Sequence, residues 1–224
     1  MKLKNLSLEI TKMDFVIALY TFCILVSNMM GAKTFSVVQT PVVHFTASVS
    51  LLLMPLIFTI NDVIIEVFGV KRARSLYRSS LIMIILLSLF SVVAIAIPPS
   101  ARFAKMEPSY ELIFGQSLRI SLASLVAFAL SDLIDILIFE RLRKQMRKKA
   151  LWFRNNVSNF ISQFFDTSVF YILAFYAVDT SISHNVTFLF GLIIPYWLLK
   201  CSMSVIETPL VYLGVKWLKN DEKV

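Results

Sequence analysis

Six runs of about twenty apolar residues, at 13–32, 47–68, 76–97, 117–139, 157–178 and 187–213, leave this chain few ways to fold. At a helical rise of about 1.5 Å per residue, each is long enough to cross a hydrocarbon layer about 30 Å thick. Lipid offers no partner to backbone N–H and C=O groups, so a spanning run must bond internally as a helix. The expected fold is all-α: a polytopic membrane protein with six transmembrane helices in one domain, 1–224. A soluble domain of this size would not need a chain that is 58% hydrophobic and only 16% charged.

The charges fix an orientation. Net charge is +8, yet the basic residues gather at alternate ends of the spans and form no nucleic-acid stripe. Lys2, Lys4 and Lys12 precede the first span, Lys71, Arg72, Arg74 and Arg78 separate the second and third, and Arg141 to Arg154 separate the fourth and fifth. Lys216, Lys219 and Lys223 follow the sixth. Positive residues stay on the cytoplasmic side, so both termini are expected there. The segment RLRKQMRKKALWFR is expected to lie against anionic lipid; no direct nucleic-acid partner is expected. The first span resembles a signal peptide in its lysine flank, but its apolar core is too long and a small-residue cleavage site is lacking, so it is read as a retained helix. Cys23 and Cys201 sit singly in apolar sequence and are read as packing residues.

Polar residues inside the spans carry the functional signal. Asp132 lies nine residues before Arg141, Asp62 nine before Lys71 and Glu207 nine before Lys216, each about 13 Å in from a basic edge. Asp135 and Glu66 follow Asp132 and Asp62 on nearly the same helix faces. In the fifth span Asn159, Gln163 and Asp166 form a stripe at spacings of four and three, and in the sixth Lys200, Ser204 and Glu207 share a face. Ionisable groups at this depth are costly and normally face a partner or a wet cavity; an acid is the natural partner for Lys200. Asn28, in the first span, reads equally as an interhelical bond or as cavity lining.

Other features read more quietly. Pro55 suggests a mid-span interruption, either a packing kink or a mark of the binding level. The third span, with serines as its only polar residues, reads as a lipid-facing support. Arg119 is expected to snorkel to head groups, and Asn155 and Asn156 to cap the fifth helix or sit at the inner interface. Thr34 to Phe45 reads as a short external hairpin or re-entrant piece, with His44 and His184 solvated in loops.

Together these residues describe a pocket for a flat, hydrogen-bonding solute. A cation channel would repeat one charge in symmetric rings. The aspartates lack the glycine-framed setting of an intramembrane aspartyl protease, and no GxxxxGK[ST] run exists for ATP hydrolysis. Neither catalytic residues, a metal site nor a cofactor is expected.

Four segments carry a resemblance: MPLIFTINDVIIEVFGVKRAR (54–74), VAFALSDLIDILIFERLR (126–143), RNNVSNFISQFFDTSVFYILAF (154–175) and PYWLLKCSMSVIETPLVYLGVKWL (195–218), with the Ser27-Asn28 pair before them. They resemble the queuosine precursor transporter family, also called VUT or YhhQ. The resemblance implies a six-helix carrier of the bacterial inner membrane that imports a 7-deazaguanine base for tRNA modification. It is not an enzyme on this reading. The family pattern coincides with Asn28, Asp62, Glu66, Asp135, Asp166 and Lys200 as substrate-binding residues; Gln163 and Glu207 join them on the physical reading alone. At position 132 some members carry an amide, so Asp132 either tunes which precursor is accepted or carries a proton. The nitrile, the aminomethyl compound and the full base remain open as substrates, as do energy coupling and a homo-oligomer. The competing classes are a substrate-capture subunit of a multi-component vitamin-type importer and an intramembrane enzyme.

Overall fold

In the computed structural model, which describes residues 10–39, 44–146 and 151–219, apolar helices cross one another around a polar centre. The order is α1 (Lys12–Met30), β1 (Thr34–Gln39), β2 (His44–Ser48), a 3₁₀ turn (Val49–Leu53), α2 (Met54–Phe68), α3 (Val70–Ala96), α4 (Glu107–Met146), α5 (Leu151–Phe175), α6 (Ile182–Ile206) and α7 (Thr208–Lys219). Among the described residues five stretches are long and apolar enough to cross a membrane: Lys12–Met30, Val49–Phe68, Val70–Ala96, Glu107–Ser131 and Ile182–Ser202. The apolar part of α5, Phe160–Phe175, is shorter.

Local chemistry explains where the helices start and stop. Thr11 accepts from the Asp14 N–H at 3.1 Å and caps α1. Gly69, at φ 82, takes the left-handed conformation that separates α2 from α3. The Pro98-Pro99 pair lies just past Ala96, the end of α3. Pro55 does lie inside an apolar span, Val49–Phe68, and marks the change from 3₁₀ turn to α-helix there, with no kink within a continuous α-helix. It stands in the first turn of α2, where a missing N–H removes nothing, and the chain before it is the 3₁₀ turn. Asn155 and Asn156 do not cap α5, which already begins at Leu151.

Two further expectations are revised. The last apolar run is two helices: α6 ends at Ile206, Glu207 occupies the break, and α7 restarts with Pro209 in its first turn. Thr34–Phe45 does form a hairpin, and its strands extend to Ser48 as an antiparallel pair with Thr34 opposite Ser48 and Gln39 opposite His44.

Packing falls into two flanks. On one, Val16 and Tyr20 of α1, Ile60, Val63 and Ile64 of α2, Ala73 and Leu76 of α3, and Leu218 of α7 make an apolar core. The approach of α7 to α2 is close enough that a Cβ at Gly214 would stand 2.7 Å from Val63 Cγ2. On the other, Tyr171 of α5 packs with Leu189, Leu192 and Ile193 of α6. Lipid tails are as apolar as leucine, so close packing and interhelical hydrogen bonds hold such bundles together. Ser117 Oγ donates to Met29 O at 2.6 Å and Ser131 Oγ to Ser162 O at 3.1 Å, stitching α4 to α1 and to α5. Arg119, which is exposed, donates to Leu173 O at 2.8 Å and Tyr176 O at 2.6 Å, closing the carbonyl end of α5.

Candidate substrate cavity

Between the two flanks lies a cavity of about 320 Å³, within the range of small-molecule sites. Among the described residues six helices and the 3₁₀ turn supply its wall, and α7 does not. Its charged members, among the described residues, are Lys200 and Asp166.

Those two form one unit. Lys200 sits a turn beyond Tyr196 on α6, and Asp166 faces it from α5; Lys200 Nζ donates to Asp166 Oδ2 at 2.7 Å. The lysine is 12% and the aspartate 27% exposed, so the charges are substantially withdrawn from solvent and neutralise each other. The ammonium also stands 5.7 Å from the centre of the Tyr196 ring, a favourable place for a cation. Tyr196 OH lies 3.5 Å from Ser50 Oγ. Ser50 Oγ is 2.9 Å from Ser48 Oγ, which donates to Gly31 O at 2.6 Å. A polar chain thus leads from the base of the hairpin to the ion pair.

Opposite this pair, Asn28 is buried in α1. Its Nδ2 donates to Ile24 O at 2.8 Å, and its Oδ1 accepts from Ser124 Oγ at 3.1 Å. Both meanings considered for this amide therefore hold: it bridges α1 to α4, and it lines the cavity. Gln163, one turn before Asp166, reaches the wall as well, with Cys201 Sγ 3.9 Å from its Oε1. Aromatic surface comes from Tyr20, Phe58, Tyr77, Phe128, Phe170 and Tyr196.

The structure thus brings together Asn28, Gln163, Asp166 and Lys200. It does not bring Asp62, Glu66 or Glu207 to the wall: Asp62 is half-buried beside Asn61, which does line the cavity, Glu66 is exposed, and Glu207 is buried at the α6–α7 break. Asp132 and Asp135 belong to α4, but their side chains lie outside the described residues. Sequence reasoning missed Tyr77, Ser80, Leu81 and Ile84, which make α3 part of the wall and not merely a lipid-facing support. The available signal was the recurrence of small hydroxyl residues, Ser80, Ser88 and Ser91, which turn one α3 face inward. Among the described residues no group of three or more His, Cys, Asp or Glu is placed to hold a metal.

A multi-helix membrane bundle around a partly open, aromatic-lined cavity that carries an ion pair and amides in its wall defines a transporter-like class. The sequence profile of the putative vitamin uptake transporter family matches residues 48–214, and the chain belongs to that family. It is a transporter, a multi-pass protein of the bacterial cytoplasmic membrane. A protein from Bacillus subtilis (strain 168) named probable queuosine precursor transporter is 28% identical over 180 residues, covering 80% of this chain and 76% of its own. A protein of the same name from Haemophilus influenzae is 29% identical over 129 residues, 56% of this chain and 50% of its own. No solved structure gives a significant match.

Proposed function

We propose that this chain imports a 7-deazaguanine precursor of queuosine, binding it in the central cavity. One observation carries the reading: the Lys200–Asp166 pair, 2.7 Å apart in the wall of a cavity of about 320 Å³, offers a cationic donor beside an anionic acceptor. A guanine-type edge displays ring N–H and exocyclic amine donors beside a carbonyl acceptor. Asp166 accepts from the donors, and Lys200 Nζ donates to the carbonyl. The solute exchanges one ion pair for two sets of charge-assisted bonds, so neither charge is left bare.

Asn28 and Gln163 supply further amide contacts around the ring, and Phe170 and Tyr196 supply faces on which it stacks. The names of the two relatives support the choice of solute. In this reading α5 also spans, as the fifth of six, both termini are cytoplasmic by the positive-inside rule, and the chain has no enzymatic step. Solute passes by alternating exposure of the midplane cavity.

Uptake of labelled 7-deazaguanine bases by cells unable to make queuosine tests the assignment. Accumulation should require this chain and fall when unlabelled precursor competes. The purified chain in liposomes should itself transport; binding without transport would make it a capture subunit instead. Failure of every precursor to compete would overturn the choice of solute.

A further inference from the structure

Glu207 is the buried acid that the cavity leaves unused. It is 4% exposed, and its Oε2 has no hydrogen-bond partner among the described residues. It lies in the break between α6 and α7, where Pro209 contributes no N–H and the chain changes direction. Asp62 of α2, half-buried, lies within electrostatic range of it. Among the described residues no ion pair to either acid is found from the elements that pack there. Lys200 of α6 is bonded to Asp166, and Lys12 of α1 donates to Trp217 O at 2.8 Å. Lys71, Arg72, Arg74 and Arg78 of α3, Lys216 and Lys219 of α7, Glu66 of α2 and Asp14 of α1 are exposed.

A bare carboxylate in this setting is costly, whereas a carboxylic acid is neutral and can donate its own hydrogen bond. From these observations we propose that Glu207, buried at the α6–α7 break with Oε2 unpartnered among the described residues, is a proton-binding site distinct from the cavity, and that its occupancy is coupled to solute movement through α2. The site takes up a proton from water, converting carboxylate to carboxylic acid, and returns it to water on the opposite side of the membrane. The path of coupling is short. Asp62 lies within electrostatic range of Glu207, while its neighbour Asn61 lines the cavity. Val63 is the residue against which Gly214 of α7 closes. Removing the charge between Asp62 and Glu207 lets α7 settle on α2, and a shift of α2 moves the cavity wall. A metal cation fits less well, because no third ligating side chain of His, Cys, Asp or Glu stands with the pair among the described residues.

The inference rests on the transport reading for its coupling, but the site can be tested without solute. Infrared difference spectra of the purified wild-type chain across a pH titration should show a protonated carboxyl band that Glu207→Gln lacks. Asp62→Asn should change the pH at which that band disappears, an effect that mere loss of fold would not give. In liposomes, an inward proton gradient should stimulate wild-type uptake of labelled 7-deazaguanine about tenfold, while Glu207→Gln transports at the unstimulated rate. An unchanged band in Glu207→Gln, retained proton stimulation in that variant, or stimulation by sodium in place of protons would overturn the proposal. If the wild type took up no deazaguanine, the solute assignment would fall, and the infrared result would still decide whether Glu207 holds a proton.

Discussion

The two flanks of the bundle handle an intramembrane acid in opposite ways. On the α5–α6 flank, Asp166 is matched by Lys200 at 2.7 Å, opens onto the cavity and is surrounded by aromatic rings. On the α1–α2–α3–α7 flank, Glu207 is buried at the start of α7 with Oε2 unpartnered among the described residues. Depth in the membrane is therefore a poor guide to role. A paired charge facing open space is equipped to exchange its partner for a solute, and an unpaired one in a closed seam is equipped only to change its own protonation.

That contrast is broken most directly at Lys200. Lys200→Met leaves Asp166 as an uncompensated charge, and removing one partner of a buried pair costs about 3–5 kcal/mol. Binding of labelled base should fall by about a hundredfold or more, with a clear loss of thermal stability in detergent. Adding Asp166→Asn should restore the stability but not the binding, because the solute still lacks both partners. If the double variant bound normally, the pair would be structural and the two flanks would not differ in kind.

On the other flank the sensitive point is packing. Gly214→Ala places a methyl 2.7 Å from Val63 Cγ2, and valine is stiff about χ1, so α7 must move off α2. Overpacking of this kind costs about 1–3 kcal/mol. The melting temperature should fall, and Val63→Ala should recover most of the loss. Affinity for the solute should change less than stability does, since α7 supplies no part of the cavity wall.

These positions show how much the sequence carried. Apolar run lengths gave the membrane bundle, and spacings of three and four put Gln163 with Asp166 and made an acid the natural partner of Lys200. Which acid it was depends on helix azimuth, which spacing along a single helix does not encode. The same limit hid the inward turn of α3 and the exposure of Glu66. Pro55 and Pro209 look alike in sequence as interruptions, yet both begin helices; the 3₁₀ turn before one and the Glu207 break before the other arise from tertiary packing. The partner of Arg119 was not legible because the carbonyl end of α5 is more than fifty residues away in the chain.

A smaller effect is expected where α1 meets α4. Asn28→Ala removes the bond from Ser124 and a cavity amide together, while Ser124→Ala removes only the bond. Interhelical hydrogen bonds in membranes average about 0.6 kcal/mol. Ser124→Ala should therefore weaken solute binding no more than about threefold, and Asn28→Ala by more. Equal effects from both would mean that the amide serves only to hold α1 against α4.

The smallest effect tests the link between the flanks. Ser50 belongs with the chain entering α2, and Tyr196 with α6; their oxygens are 3.5 Å apart, at the outer limit of a hydrogen bond. Such a contact adds little to stability, so Tyr196→Phe should leave the unfolding free energy within about 1 kcal/mol of wild type. It keeps the ring on which a base stacks and over which Lys200 sits, so affinity should change by less than about threefold. What it removes is the oxygen joining the hairpin base, through Ser48 and Ser50, to the helix that bears Lys200. If movements of the two flanks are tied through that oxygen, the variant should bind normally but transport more slowly in liposomes. Equal transport would show that the flanks communicate through α2 and its seam with α7 alone, leaving the hairpin as a passive strap.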